Sequence, residues 1–314
     1  MIAINDDMVI ANKTESLTDS LNALNTEKTN LKNLDRIDQK NFPLDGKYTF
    51  PASAGEDVNV YVIDTGININ HIDFQGRARF AASFCNGCPL QDDNGHGSMV
   101  AGIIGGNFFG VAKKTNLIAV KVLDSFGQGT LLSVIDGMAY VFEQHTAATN
   151  KKTVVNMSLI VTTKSQILNT VLAKLVQAGI VVSVAAGNDA TDACNESPSS
   201  APEALTVGAT QLDNDTIASF SNWGPCIDIF APGVNIESSG GFTPDHVVVG
   251  SGTSFSSPHV AGTAALILGD NQNVLSPAQV AEEIIKISTK NAVKGLNSLP
   301  KKTPNRFLRV PQKW

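Results

Sequence analysis

The sequence lacks an excess of positive charge, long apolar runs and a secretory leader. Its 23 Lys and Arg against 29 Asp and Glu give a net charge of −6, which excludes the strongly basic surface typical of nucleic-acid-binding proteins. No stretch of about 18 uncharged apolar residues occurs, so no membrane span is expected. The first twelve residues carry Asp6 and Asp7 and have no basic start followed by an apolar core, so this chain contains no predicted signal peptide.

Cysteine is also scarce, with four in 314 residues. Cys85 and Cys88 form a C-x-x-C motif, which is compatible with half of a zinc site or with a redox pair. The five histidines show no spacing that would supply a second pair of zinc ligands. Cys194 and Cys226 stand apart, and they could form a disulfide if the compartment is oxidising.

Buried strands and helices alternate along most of the chain, and 42% of the residues are hydrophobic. Such alternation predicts βαβ units and a mostly parallel sheet covered on both faces, a three-layer α/β/α fold. We expect residues 50–314 to form this single domain, and residues 13–49 to be a linker and N-terminal arm with one short helix. The predicted strands are 57–64, 116–123, 153–159, 179–186 and 203–209, and the predicted helices are 95–106, 130–145, 164–178, 253–268 and 276–289.

Four polar residues stand where functional groups gather in a parallel sheet, near the carboxyl ends of strands. Asp64 ends the first predicted strand, His96 lies between two glycines at a helix start, and Asn188 follows a buried strand. Ser254 opens a helix rich in glycine and alanine. Taken singly, they are compatible with a turn aspartate, a surface or cap histidine, a turn asparagine and an N-cap serine.

Together, the same four residues fit one reaction. Ser254 would attack a carbonyl carbon, and His96 would take the serine proton and later give it to the leaving amine. Asp64 would hold the imidazole tautomer and stabilise its charged form. The side-chain amide of Asn188 and the backbone N–H of Ser254 would hold the oxyanion.

The segments VIDTGI, NGHGSMVAG, AAGN and SGTSFSSPHVAG match motifs of the subtilisin-like serine peptidases, the subtilases, which this chain resembles over about residues 30–300. The Asp…His…Ser order is the known subtilisin order. NMSL, DACNESP and FSNWGPCIDIFAPG place the resemblance nearest to the proteinase K and fungal vacuolar (cerevisin-like) branch. The resemblance implies a subtilisin-like fold and a serine endopeptidase that needs no cofactor for catalysis.

The resemblance also implies further sites. Subtilases bind substrate as an extended strand between two segments of the enzyme, and a calcium ion in the proteinase K branch is held by the positions matching Pro202, Ala204 and Asp228. A fungal branch has cysteines at Cys194 and Cys226, which implies that they pair. The substrate-binding residues implied here are Ser125, Gly127, Gly129, Ser158, Leu159, Ile160, Val161, Ala186 and Gly187.

Residues 1–12 are similar to the last strand of the family's inhibitory prosegment, and we expect them to be its remnant. The resemblance then implies a zymogen whose own prosegment is inhibitor and folding aid, with polypeptide substrates and no nucleic-acid or membrane partner. It implies a monomer that is secreted or vacuolar. Glycosylation sequons at Asn12 and Asn214 fit a secretory route.

The chain departs from the family pattern beside the proposed cleft. Ile160 and Val161 replace two glycines of the primary specificity pocket, which predicts either a narrowed pocket or a blocked cleft. Ser98 and Met99 replace the usual Thr-His after the catalytic histidine motif, and Phe255 follows the proposed nucleophile, where we expect it to pack. The alternative to an active peptidase is a catalytically silent subtilase that binds peptides or a partner protein.

Overall fold

A computed structural model describes residues 23–161 and 163–312. The expected prosegment remnant at residues 1–12 lies outside the described residues. The strands are β1 (Leu24–Lys28), β2 (Lys47–Pro51), β3 (Asn59–Asp64), β4 (Ala78–Ser83), β5 (Asn116–Lys121), β6 (Thr153–Met157), β7 (Val181–Ala185), β8 (Leu205–Thr210), β9 (Ile229–Pro232), β10 (Ile236–Ser239), β11 (Val247–Gly250), β12 (Thr289–Lys290) and β13 (Arg306–Phe307). The helices are α1 (Lys32–Asp38), α2 (His96–Gly105), α3 (Leu131–Ala147), α4 (Gln166–Gln177), α5 (Thr253–Asp270) and α6 (Pro277–Ile287).

Nine of these strands form the central sheet, in the order β12-β13-β9-β8-β7-β6-β3-β5-β4. All neighbours from β4 to β13 run parallel, and only the edge strand β12 is antiparallel. The predicted mostly parallel sheet is therefore confirmed. The five predicted strands correspond to β3, β5, β6, β7 and β8, and the five predicted helices to α2 through α6.

Both faces of the sheet are buried, which explains why its central strands are continuous apolar runs. In β3, Val60 and Val62 point into one hydrophobic core, and Tyr61 and Ile63 point into the other. Helices α2, α5 and α6 cover the first face, and α3 and α4 cover the second. The result is the three-layer α/β/α arrangement that the alternation predicts.

The N-terminal arm differs from the predicted linker. Strand β1 pairs antiparallel with β2, and the predicted boundary at residue 50 falls inside β2. Leu34, Ile37 and Tyr48 are fully buried in the same core as α5. Residues 24–49 are thus packed into the domain, because their few apolar side chains are spaced to face it.

Among the described residues, no helix combines the length and the apolar character needed to cross a membrane.

Candidate active site

The first two predicted site residues meet at the carboxyl edge of the sheet. Asp64 is the last residue of β3 and is fully buried, and His96 is the first residue of α2. The Nδ1 atom of His96 lies 2.8 Å from Oδ1 of Asp64. The same carboxylate oxygen accepts the backbone N–H of Thr65 at 2.7 Å. These bonds fix the imidazole with Nδ1 toward the carboxylate and leave Nε2 for the cleft.

A second aspartate holds the loop that carries His96. Oδ1 of Asp92 accepts the backbone N–H groups of Asn94 and Gly95 at 3.1 and 2.8 Å. Its Oδ2 accepts both the backbone N–H of Ser98, at 2.8 Å, and the Ser98 hydroxyl, at 2.6 Å. Asp92 therefore caps the N-terminus of α2 and sets the direction from which His96 enters the site.

The charge environment of His96 favours its protonated form. Burial acts to lower the pKa of the imidazole, but the charge and hydrogen bond of Asp64 act to raise it, as does the charge of Asp92. The carboxylates prevail, and the pKa of His96 is raised above its ordinary value of 6.5. An imidazole with a raised pKa is a stronger base, as proton abstraction from a hydroxyl requires.

Ser254 is the second residue of α5. Pro258 of the same helix changes the hydrogen bonding of the Ser254 carbonyl. Pro258 has no N–H to donate to the carbonyl of Ser254 four residues earlier. The hydroxyl of Ser158 takes that place and donates to the Ser254 carbonyl at 2.7 Å. The Ser254 hydroxyl donates back to the carbonyl of Ser158 at 3.3 Å.

The described hydrogen bonds do not join the Ser254 hydroxyl to His96. The residue after Ser254 contacts the histidine, since the His96 ring lies 5.5 Å from the ring of Phe255, centroid to centroid. Rotation of the Ser254 side chain away from the Ser158 carbonyl would release its hydroxyl. Catalytic hydrogen bonds of ligand-free enzymes commonly form only when substrate is bound.

Asn188 follows β7 and is anchored through its carbonyl oxygen. Oδ1 of Asn188 accepts the backbone N–H and the hydroxyl of Thr253 at 2.8 and 2.9 Å. Both bonds use the acceptor end of the amide, so the NH₂ group is directed away from Thr253. An exposed amide donor beside the N-terminus of α5 is the arrangement that an oxyanion hole requires.

A cavity of about 690 Å³ lies beside His96. Of the predicted substrate-binding residues, Gly127, Gly129 and the segment Ser158–Val161 line it. Ile160 and Val161 are partly exposed on its wall. Ser125 lies in the adjoining turn, where its carbonyl accepts the Asn94 side chain at 3.0 Å.

Ala186 and Gly187 are buried and are not part of that lining. They lie directly before Asn188, on the side of the segment Ser158–Val161 that faces away from this cavity. Asn222 donates to the Ala186 carbonyl at 3.0 Å, and Gly187 has φ +105°, a conformation that favours glycine. Their contribution is to set the turn that presents Asn188.

The four cysteines form two disulfides, Cys85–Cys88 and Cys194–Cys226. The pairing of Cys194 with Cys226 agrees with the one that the resemblance implies. In the C-x-x-C motif, a disulfide leaves no thiolate for zinc, and no group of three or more His, Cys, Asp or Glu side chains suited to a metal occurs in the described part of the chain.

The residues matching the family's calcium position offer oxygen donors only. They are the backbone carbonyls of Pro202 and Ala204 and the carboxylate of Asp228, a donor set that suits calcium. Oδ2 of Asp228 accepts the backbone N–H of Thr206 at 2.9 Å. Burial raises the pKa of Asp228 to about 6, against the lowering effects of the Thr206 bond and of Arg306. Asp228 is half-buried, and its carboxylate with the two carbonyls is compatible in donor type with a calcium ion.

Three positioning residues were not predicted from the sequence: Asp92, Thr253 and Ser158, which acts through its hydroxyl. Two of them had a usable signal, since Asp92 lies four residues before His96 and Thr253 directly precedes Ser254. Ser158 was assigned only to substrate binding. Its bond to Ser254 joins residues 96 positions apart, which no local pattern reveals.

The three-layer fold, with Asp64, His96 and Ser254 gathered at one edge of its parallel sheet, defines a subtilisin-like protein. Residues 55–300 match the Subtilase family of S8 peptidases, and the chain belongs to that family. Members of this family need no cofactor for catalysis.

Individual relatives agree with this assignment. An extracellular serine proteinase of a Thermus species is 44% identical over 279 residues, which are 88% of this chain and 65% of that protein. Subtilisin-like protease 3 of Pseudogymnoascus destructans is 44% identical over 266 residues, covering 83% of this chain and 65% of its own length. The chain thus spans about two thirds or less of these curated relatives. The crystal structure of a cold-adapted subtilisin-like serine proteinase matches with a TM-score of 0.83 and 40% identity, over 91% of this chain and 99% of that one.

Proposed function

We propose that this protein is a serine endopeptidase that hydrolyses peptide bonds of polypeptides through an acyl-enzyme. The observation that carries the proposal is the 2.8 Å hydrogen bond between Asp64 and His96, formed beside the helix whose second residue is the nucleophile Ser254. Family membership and the proteinases among its relatives support the same activity.

The chemistry follows from the positions of the four groups. His96 accepts the Ser254 proton as the hydroxyl attacks the carbonyl carbon, and the buried Asp64 carboxylate stabilises the resulting imidazolium. The Asn188 amide and the Ser254 backbone N–H donate to the oxyanion, whose charge also lies at the N-terminus of α5. His96 then protonates the leaving amine, and water attack on the acyl-enzyme regenerates Ser254.

The cleft supports an extended polypeptide substrate. The exposed segment 125–129 and the segment Ser158–Val161 stand on two sides of the cavity, as two edges between which a peptide strand can bind. Apolar side chains, including Leu123, Leu131 and Val134, line the part next to segment 125–129. The proposal therefore includes apolar residues on the amino-terminal side of the cut bond.

Several finer features belong to the same proposal. Calcium would be held by Pro202, Ala204 and Asp228 and would add structural stability. Residues 1–12 would be a prosegment remnant, and the prosegment would act as inhibitor and folding aid of a monomeric enzyme. A secreted or vacuolar location is supported by the extracellular Thermus relative and by the two disulfides, which form in oxidising compartments.

Labelling with a fluorophosphonate probe tests the activity. The folded chain should label, and Ser254→Ala should not, with circular dichroism showing that both are folded. A folded parent chain that does not label would favour the alternative, a silent subtilase that binds peptides through the same cleft. The observation that favours this alternative is that the Ser254 hydroxyl bonds the Ser158 carbonyl and has no described hydrogen bond to His96.

A further inference from the structure

Two backbone segments are tied by hydrogen bonds to the start of α5, beside the nucleophile, and we refer to them as the two walls. One is Ser158–Val161, which is tied to Ser254 by two hydrogen bonds. The other is Ala186–Asn188, which is tied to Thr253 by the two bonds to Asn188 and by a 3.1 Å bond from the Gly187 N–H to the Thr253 hydroxyl. A substrate side chain next to the cut bond would enter between these two walls.

Glu196 and Ser197 link the two walls. Ser197 forms backbone hydrogen bonds with Val161 in both directions, at 2.7 and 3.2 Å, and so continues the first wall. The Glu196 side chain reaches the second wall, because a Cβ atom placed on Gly187 would lie 2.5 Å from its Oε2. The carboxylate therefore lies at the junction of the two walls.

The carboxylate of Glu196 accepts a hydrogen bond from one neutral side chain. Asn222 donates to Oε2 at 2.9 Å while also donating to the Ala186 carbonyl. Glu196 itself is only 5% exposed. None of the ion pairs among the described residues includes Glu196 or Asp189.

Asp189 adds a second acid on the turn that follows Asn188. Burial raises the pKa of Glu196, and the charge and hydrogen bond of Asp189 raise it further, against the lowering effect of Asn222. Two carboxyl groups that share a site without a cation are unfavourably placed as anions. A cation brought by a substrate would relieve that repulsion.

We infer that Glu196, assisted by Asp189, is a specificity-determining residue that selects a basic side chain, lysine or arginine, immediately before the cut bond. The inference rests on the proposed endopeptidase function and extends it to a substrate class. In this inference, an extended lysine side chain passes Ile160 and Val161 with its methylene groups and presents its ammonium group to the Glu196 carboxylate. Ile160 and Val161, the apolar residues that replace glycines on the first wall, can then pack against the methylene groups of the same lysine side chain.

The test compares two substrates that differ only in charge at the selected position. Peptides of the form Ala-Ala-Pro-X-p-nitroanilide carry X as lysine or as norleucine, which has a similar stem without the ammonium group. The value of kcat/KM is measured for the parent chain, for Glu196→Gln and for Glu143→Gln. The Glu196→Gln change keeps an acceptor oxygen for Asn222, and Glu143, which is exposed on α3, controls for the change in net charge.

The parent chain should prefer lysine over norleucine by about tenfold or more. Glu196→Gln should lower this ratio by about tenfold and leave kcat/KM for norleucine within about threefold, and Glu143→Gln should leave the ratio unchanged. A ratio that Glu196→Gln does not change, or an equal loss on both substrates, would overturn the inference while fluorophosphonate labelling upholds the endopeptidase. A folded chain that does not label at all would overturn both.

Discussion

Ser158 and Ser254 are joined reciprocally, each hydroxyl donating to the other residue's carbonyl oxygen, at 2.7 and 3.3 Å. The shorter bond satisfies the carbonyl that Pro258 leaves without a helical donor. The nucleophile is therefore held by a side chain from the opposite wall of the cleft, and the backbone turn of α5 is completed from outside the helix.

Ser158→Ala should lower kcat by about tenfold. The change leaves the Ser254 carbonyl without its donor, a loss on the order of 1 kcal/mol, and loosens the position of the attacking oxygen. The measurement is kcat on a chromogenic peptide. Ser256→Ala is the control, because it removes a buried hydroxyl of α5 that bonds instead to the Ala231 and Pro232 carbonyls. Equal kcat values for the two variants would contradict the role of Ser158.

Removal of the Asn188 amide should lower kcat by about 10²–10³-fold with little change in KM. This is the range known for the corresponding donor in subtilisin. Thr253→Val should give a smaller loss of kcat, since it removes the hydroxyl that fixes the Asn188 carbonyl but keeps the backbone N–H. Thr253→Ser, which keeps that hydroxyl, should retain most of the parent activity. If Thr253→Val raises KM and leaves kcat unchanged, Thr253 is not a positioning residue for the oxyanion hole.

The dependence of kcat/KM on pH should report the environment of His96. Only the neutral imidazole accepts the Ser254 proton, and its pKa is raised above 6.5, so activity should fall as pH decreases through that raised value. Asp92→Asn removes one of the charges that raise this pKa, so the acidic limb should move to lower pH. Asp213→Asn, at a side chain that is 77% exposed, should leave the limb in place. If Asp92→Asn leaves the acidic limb at the same pH, then Asp92 holds the loop that carries His96 and does not raise the His96 pKa.

Asp228 should make stability depend on both pH and calcium. Its pKa is about 6 in the folded protein against an ordinary 3.8, so its stabilising effect is present below about pH 4 and is lost as pH rises through 6. At pH 8 with a chelator, Asp228→Asn should therefore unfold at higher urea, by a free energy on the order of 3 kcal/mol, and the difference should vanish toward pH 4.

Added calcium should reverse this ranking, because the ion binds the folded parent chain and stabilises it by mass action. The asparagine variant, which lacks the carboxylate, should gain little. Urea unfolding with and without millimolar calcium measures the effect. If calcium stabilises neither protein, Pro202, Ala204 and Asp228 do not form a calcium site.

Arg36→Leu should lower the free energy of unfolding by about 3–5 kcal/mol. Arg36 and Asp215 form an ion pair with side chains only 1% and 6% exposed, and removing one partner leaves a buried charge without compensation. Lys32→Leu is the matched control, since the Lys32–Asp213 pair is 58% and 77% exposed and should contribute below about 1 kcal/mol. Similar losses in the two variants would show that burial of the Arg36 pair carries no special cost.

The sequence predicted the central strands because each is buried on both faces and reads as a continuous apolar run. It did not predict β9, which has four residues, β12 and β13, which have two residues each, or β4, whose apolar residues are interrupted by Arg79. These strands depend on neighbours already in place, since Phe307 of β13 pairs with Phe230 of β9 across a long stretch of chain. Short edge strands leave no periodicity to detect.

The gathering of Asp64 and His96 at the sheet edge was predictable, because strand ends meet there in any parallel sheet. The bonds that tune the site were not. In His259, for example, Nε2 accepts the side-chain amide of Asn33 at 3.0 Å and Nδ1 donates to the Phe255 carbonyl at 2.7 Å, and burial lowers the pKa of the ring to about 4. Asn33 lies in the arm that the polar composition of residues 13–49 assigned to a linker, so its contact with α5 had no sequence signal.

The arm also meets the last described residues of the chain. The N–H of Val310 donates to the Ile37 carbonyl at 2.8 Å, the Gln312 side chain donates to the Asp38 carbonyl, and the Arg36 guanidinium lies 4.2 Å from the centre of the Phe307 ring. A peptidase shares its solution with copies of itself, and cleavage requires a stretch of target chain that opens locally into an extended form. The contacts of α1 with β13 and with the residues after it hold both segments in place. For the proposed peptidase, we expect these contacts to slow cleavage of one copy by another, because both segments must separate before either can enter a cleft.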